Sequence, residues 1–315
     1  MIRAADPRPI GVFDSGVGGL TVLSELRRRL PAESTLYLGD NARTPYGPRT
    51  RDEVRRFTLE CVDWILAQRV KLLILACNTA TAQALDAVRE RAGVPVLGVV
   101  RPGAVAAAAA TRSRHVAVIA TAGTVASGAY ERAIGEADPR VAVIQRATPD
   151  LVPLVEAGVV EGPRAEEAVR WYLEPLLADD PATDTLLLGC THYPLLRPVI
   201  ERVVGSAVGV VDSAFTTALA AEDLLDALGA RHGGAPEHRV ATTGAIDRFV
   251  NVAERIFGAH LPAVESIGVA STDVGPIGIE LRGTQPGGTE PGGTEPGGTA
   301  ANAEPVAPEA TRPLP

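Results

Sequence analysis

Two mainly parallel-sheet α/β domains, facing each other across a cleft and related by pseudo-symmetry, are the fold class this sequence predicts. Three observations lead there. Short, β-branched apolar runs alternate with segments of helical periodicity, the pattern of βαβ units. A strand, a small-residue turn and a helix start occur twice, as IGVFDSGVGGLTV (10–22) and VAVIATAGTVAS (116–127). A strand that delivers a cysteine also occurs twice, as LLILACNTATAQAL (72–85) and LLLGCTHYPLL (186–196). The order and approximate spacing repeat: 63 positions separate Asp14 from Cys77, and 69 separate Thr121 from Cys190.

In chain order, the first strand is read at 10–13 and opens onto Asp14-Ser15, residues also suited to cap a helix over 18–29. Further strands are read at 35–39, 71–76, 94–100, 115–120, 141–144, 185–189, 208–211 and 239–243. Between them, 50–69 places Val54, Phe57, Cys61, Trp64 and Ile65 at helical spacing, and 214–228 is a second clear helix. Beyond Ser271 the periodicity vanishes and Gly-Gly-Thr-Glu-Pro recurs. Such composition buries too little apolar area to offset ordering entropy, so 269–315 is expected to be a disordered tail.

Composition narrows the function. At 315 residues and 46% hydrophobic, the chain is long enough for two domains with sizeable cores. Its longest small apolar run, 104–110, falls short of the roughly 18 residues a membrane helix needs, and no export signal is read at the start. Net charge is −8, half of it from six acids against two arginines in 269–315, so no basic footprint for nucleic acid appears. Three cysteines without a small disulfide framework suit a reducing cytoplasm and free thiols.

Cys61 lies inside an amphipathic helix and is read as a small core hydrophobe. Cys77 and Cys190 differ, because each ends its strand and is followed by Asn78-Thr79 or Thr191-His192, poor core formers. Strand carboxyl ends are where open α/β sheets place their sites. Two opposed thiols suit removal of a carbon-bound proton on one face and its return on the other, which inverts the centre. His192 is positioned in sequence to polarise Cys190, and Asp14 to serve Cys77 or hold a substrate ammonium. Ser15, Asn78, Thr79, Thr121, Thr124 and Thr191 supply donors for carboxylate oxygens.

On GVFDSGVGGLTV (11–22), YLGD with PYG (37–40 and 45–47), ACNTAT (76–81), ATAGT (120–124), LVEAG (154–158) and LLGCTHYPLL (187–196), the chain resembles the glutamate racemases, cofactor-independent members of the aspartate/glutamate racemase superfamily. The resemblance spans about 9–268 in family order. It implies Cys77 and Cys190 as catalytic cysteines, Asp14 and His192 as their polar partners, and Glu156 as a further acid near the second cysteine. It implies substrate-binding roles for Ser15, Pro45, Tyr46, Gly47, Asn78, Thr79, Thr121 and Thr191, with the Pro-Tyr-Gly loop at the side-chain carboxylate. It further implies a second lobe inserted into the first, with domains at 1–101 plus 213–268 and at 102–212. The expected activity is racemisation of L-glutamate to D-glutamate for peptidoglycan, in the cytoplasm, with glutamate as partner and neither cofactor nor metal. The oligomeric state is left open, a homodimer being the assembly considered. Relatives activated by a cell-wall precursor carry an amino-terminal extension; here the first strand begins by Ile10, so that regulation is not expected.

Other functions fit the same residues less well. A pyridoxal phosphate racemase needs a Schiff-base lysine, and the sole lysine, Lys71, opens a buried strand. A zinc hydrolase on Cys77, Cys190 and His192 lacks a paired ligand motif. A cysteine hydrolase leaves one strand-end thiol idle, and an amino-acid-binding protein has no use for either. Gly16, Gly18 and Gly19 lack the spacing of a dinucleotide site. Aspartate racemase is the nearest rival.

Overall fold

A computed structural model describes residues 6–257, 261 and 263–269. The expected tail lies outside them except for Val269. In order, the elements are β1 (Ile10–Asp14), α1 (Leu20–Arg29), β2 (Thr35–Gly39), α2 (Arg51–Ala67), β3 (Leu72–Leu75), α3 (Asn78–Ala92), β4 (Val96–Gly98) and α4 (Val100–Ala110). There follow β5 (His115–Ala120), α5 (Ala122–Ala126), α6 (Ala129–Ala137), β6 (Ala142–Ala147), α7 (Leu151–Glu156), α8 (Pro163–Asp179), β7 (Thr185–Gly189), a 3₁₀ turn (Tyr193–Leu196), α9 (Arg197–Val204) and β8 (Gly209–Asp212). The chain then forms α10 (Ser213–Leu228), β9 (His238–Thr242), α11 (Ile246–Phe257) and β10 (Val264–Ser266).

Two parallel sheets result. The first runs β10-β9-β2-β1-β3-β4 and the second β6-β5-β7-β8. The pseudo-symmetry is visible in the order itself, since β2-β1-β3-β4 and β6-β5-β7-β8 are the same arrangement. In each, the chain leaves the central strand to one side and returns on the other, which opens a crevice at the carboxyl ends of β1 and β3, and again of β5 and β7. Strands β1, β2, β3 and β7 are buried along their whole length, which is why they read as unbroken apolar runs. Helix α10 packs on both α1 and α4, so the two sheets share one compact unit.

Three details differ from the sequence reading. The run 94–100 is only a three-residue strand; Val99 is already helical (φ −70°, ψ −18°) and Val100 begins α4. The β-branched pair is recruited by burial at the passage between sheets, overriding its strand propensity. Asp14-Ser15 does not cap α1, whose N-cap is Gly19 without a side-chain bond. Strand β10, too short to be read, adds in parallel to β9 at the sheet edge.

Candidate active site

Asp14 is the last residue of β1 and is fully buried. Its Oδ2 accepts the Gly16 N–H at 2.9 Å, and its Oδ1 has no partner. Burial pushes the carboxyl upward from its ordinary range, against the lowering pull of nearby His192 and of the backbone N–H groups of Gly19, Gly16 and Ser15. Cys77 follows β3 and is the N-cap of α3. Its Sγ accepts the Ala80 N–H at 3.4 Å and donates to Ser15 Oγ at 3.4 Å. Burial, then the charge of Asp14, pushes this thiol up to about 12, although Ser15 and Ala80 pull the other way.

Cys190 follows β7 in the second sheet. Its Sγ lies 3.8 Å from Nδ1 of His192, whose Nε2 lies 3.1 Å from Glu156 Oε1 at the end of α7. Burial alone would lower the imidazolium, but the bonds to Cys190 and Glu156 outweigh it and push it up to about 10. The pairing holds Glu156 below its ordinary value although burial opposes this. Cys77 and Cys190 are 4% and 5% exposed and belong to different apolar clusters. Both are free thiols. The site is thus closed over its reactive atoms; a cleft of about 410 Å³ lined by Arg55, Gln83 and Arg101, among others, contains neither.

The two halves touch directly. A Cβ on Gly18 would lie 2.4 Å from Thr191 Oγ1 and 2.5 Å from the His192 ring, so only glycine lets the β1–α1 turn approach the second cysteine's loop. Thr21 Oγ1 donates to the Thr191 carbonyl at 2.9 Å. Thr79, Thr121 and Thr124 form a hydroxyl triangle across the sheets, with separations of 2.8, 3.3 and 2.9 Å. Asn78 Nδ2 donates to Tyr130 OH at 2.6 Å and to Ser213 Oγ at 3.4 Å, while its Oδ1 is buried without a partner.

The 45–47 loop bridges the halves as well: the Gly123 N–H donates to the Gly47 carbonyl at 3.0 Å. Pro45 and Gly47 are half-buried at this seam, whereas the Tyr46 ring is in the core and its hydroxyl donates to Asp40 at 2.5 Å. The Tyr46 side chain is therefore committed to the core. Sequence reasoning did not reach the base of this loop. There Arg43, 1% exposed, binds Asp40 at 2.8 Å, pairs with Glu60 and lies 4.3 Å from the Phe57 ring centre. The signal available was the acid in YLGD immediately after a strand. Tyr130 and Ser213, which hold Asn78, had none.

Cys61 is buried in the first sheet's cluster beside Arg43, as expected of a core residue. Among the described residues no group of His, Cys, Asp and Glu is arranged to hold a metal ion, and no helix is long and apolar enough to cross a membrane.

Residues 10–222 match the Asp/Glu/hydantoin racemase family. A glutamate racemase of Shouchella clausii is 47% identical over 262 residues, covering 82% of this chain and 94% of that one. Among solved structures, glutamate racemase isoform RacE1 from Bacillus anthracis superposes with a TM-score of 0.77 at 42% identity, over 82% of this chain and 97% of that one. The glutamate racemase of Francisella tularensis, solved in complex with D-glutamate, gives 0.77 at 33% identity, over 85% and 99%.

Proposed function

The chain belongs to the Asp/Glu/hydantoin racemase family, and from that premise we propose that it interconverts L- and D-glutamate by a two-base transfer between Cys77 and Cys190. The observation that carries this reading is the pair of buried free thiols, delivered just beyond the carboxyl ends of equivalent strands of two sheets whose halves touch through Gly18 and Thr191.

The reacting proton sits on a carbon acid whose pKa exceeds that of a thiol by ten or more units, upwards of about 14 kcal/mol. Positioning and electrostatics must supply most of that difference. Two acceptors without partners, Asp14 Oδ1 and Asn78 Oδ1, match the N–H donors of an α-ammonium. Ser15, Thr79, Thr121, Thr124 and Thr191, with the N-termini around Cys77 and Thr121, are donors for carboxylates. The Pro45–Gly47 backbone receives the side-chain carboxylate. A bound ammonium also offsets the charge of Asp14, which otherwise holds the Cys77 thiol high.

His192, protonated through neutrality, places positive charge beside Cys190 Sγ, and Glu156 fixes that ring. A thiolate on one face takes the Cα proton; the thiol opposite gives up its own. The first is then thiol and the second thiolate, so the site is set for the reverse reaction without a cofactor. We further read the product as D-glutamate for peptidoglycan, made in the cytoplasm. The test is incubation with L-glutamate in the absence of added cofactor. Loss of optical rotation is expected from the wild type, and Cys77→Ser and Cys190→Ser should each lose nearly all of it. Near-normal turnover in both variants contradicts the reading.

A further inference from the structure

Helix α11 touches both halves of the site in a way the reaction as described leaves unused. Its apolar face, Phe249, Ala253 and Ile256, is buried. Phe249 packs against Tyr37 with ring centres 6.3 Å apart, and Tyr37 donates its hydroxyl to the Gly16 carbonyl at 2.8 Å. Gly16 is the residue whose N–H holds Asp14.

The same helix packs on α7 of the second sheet, where Arg255 Nη1 donates to the Glu156 carbonyl at 3.1 Å. Gly158 makes this contact possible. Its φ is +80°, and a Cβ there would lie 2.9 Å from Arg255 Cγ and 3.0 Å from Cδ. The arginine stem lies across bare backbone, and its cationic head meets the carbonyl that ends α7, where positive charge is favoured. A second arginine of α11, Arg248, acts on the Glu156 carboxylate through its charge.

We infer that Arg255 is a positioning residue for the reaction: it fixes the end of α7, and thereby the Glu156 carboxylate on His192 beside Cys190. The buried face of the same helix steadies the Asp14 turn beside Cys77, so α11 acts as a clamp across both bases. Arg255 itself touches neither thiol. The inference rests on the racemase reading above.

The experiment is steady-state racemisation of L-glutamate by the wild type, Arg255→Ala and Arg255→Lys, with thermal unfolding of each. In Arg255→Ala, kcat is expected to fall about 3- to 10-fold with KM within about twofold, because alignment of the reacting groups is lost rather than substrate binding. Arg255→Lys, which keeps a donor and the charge, should recover at least about half of the wild-type kcat. An unchanged kcat in Arg255→Ala overturns the inference, as does a rise in KM alone or a lysine variant as impaired as the alanine one. Where Arg255→Ala does not fold, Arg255→Met keeps the apolar stem over Gly158 and removes the cationic head; a reduced kcat at unchanged KM supports the clamp and an unchanged kcat overturns it. An inactive wild type defeats the racemase reading and this inference together, whereas an active wild type with a fully active Arg255→Ala defeats the inference alone.

Discussion

Glu156 Oε1 lies 3.1 Å from Nε2 of His192, so the imidazole beside Cys190 is held from behind by a carboxylate. Together with the Cys190 contact on the ring's other nitrogen, the pair dictates a pH response. His192 is pushed up to about 10 in the folded chain against an ordinary value of 6.5. Between those values the folded state binds a proton that the unfolded state has released, so the stabilisation is complete below about pH 6.5 and is lost as pH rises toward 10. Thermal unfolding of the wild type followed from pH 6 to 10 should show this decline. In Glu156→Gln the slope should flatten, and kcat should fall by about tenfold or more; a slope identical to the wild type excludes the pair as its source.

The thiol of Cys77, raised to about 12 by burial first and then by Asp14, should alkylate slowly in the free protein. Asp14→Asn removes the second of these influences. Iodoacetamide labelling at Cys77 is therefore expected to speed up about threefold or more in the variant, while racemisation falls at least about 100-fold through loss of the carboxylate charge that balances the ammonium. Peptide mass spectrometry at timed intervals measures the first; unchanged labelling would remove Asp14 from the control of this thiol.

Gly18→Ala tests the close approach of the two halves. The added methyl meets Thr191 and the His192 ring at about van der Waals overlap, and such overpacking typically costs about 1 to 3 kcal/mol. Denaturant unfolding should register that loss, with racemisation reduced more than stability alone explains. A variant of wild-type stability and rate contradicts the packing described.

The base of the 45–47 loop makes a prediction on stability alone. Arg43→Ala leaves fully buried Asp40 without its cationic partner, and breaking a buried pair in this way costs about 3 to 5 kcal/mol. Tyr46→Phe removes one hydrogen bond to the same carboxylate and should cost less, about 1 to 2 kcal/mol. Equilibrium unfolding in urea ranks the two; the reverse order contradicts the network.

Much of this architecture was legible because parallel strands buried on both faces have a simple signature, and β1, β2, β5 and β7 lie where their apolar runs are. The two strand-end cysteines stood out because Asn78-Thr79 and Thr191-His192 are poor continuations of a core. What stayed hidden depends on tertiary contacts. Val99-Val100 reads as strand yet turns into α4, because burial between sheets outweighs local preference. Glu156 entered through family resemblance and not through spacing, since its meeting with His192 spans 36 positions. Arg43 carries no signal of its own in the sequence; only the fold surrounds it with Asp40, Glu60 and Phe57.

The sharpest test of paired bases follows deuterium at Cα when the wild type acts on L-glutamate in deuterated water, sampled before a tenth of the substrate has turned over. If one thiol removes the proton and the opposite thiol supplies another, the label appears in newly formed D-glutamate while recovered L-glutamate remains protiated. Deuterium entering both enantiomers at comparable early rates would mean that a single group serves both faces, and the opposed-cysteine account would be wrong.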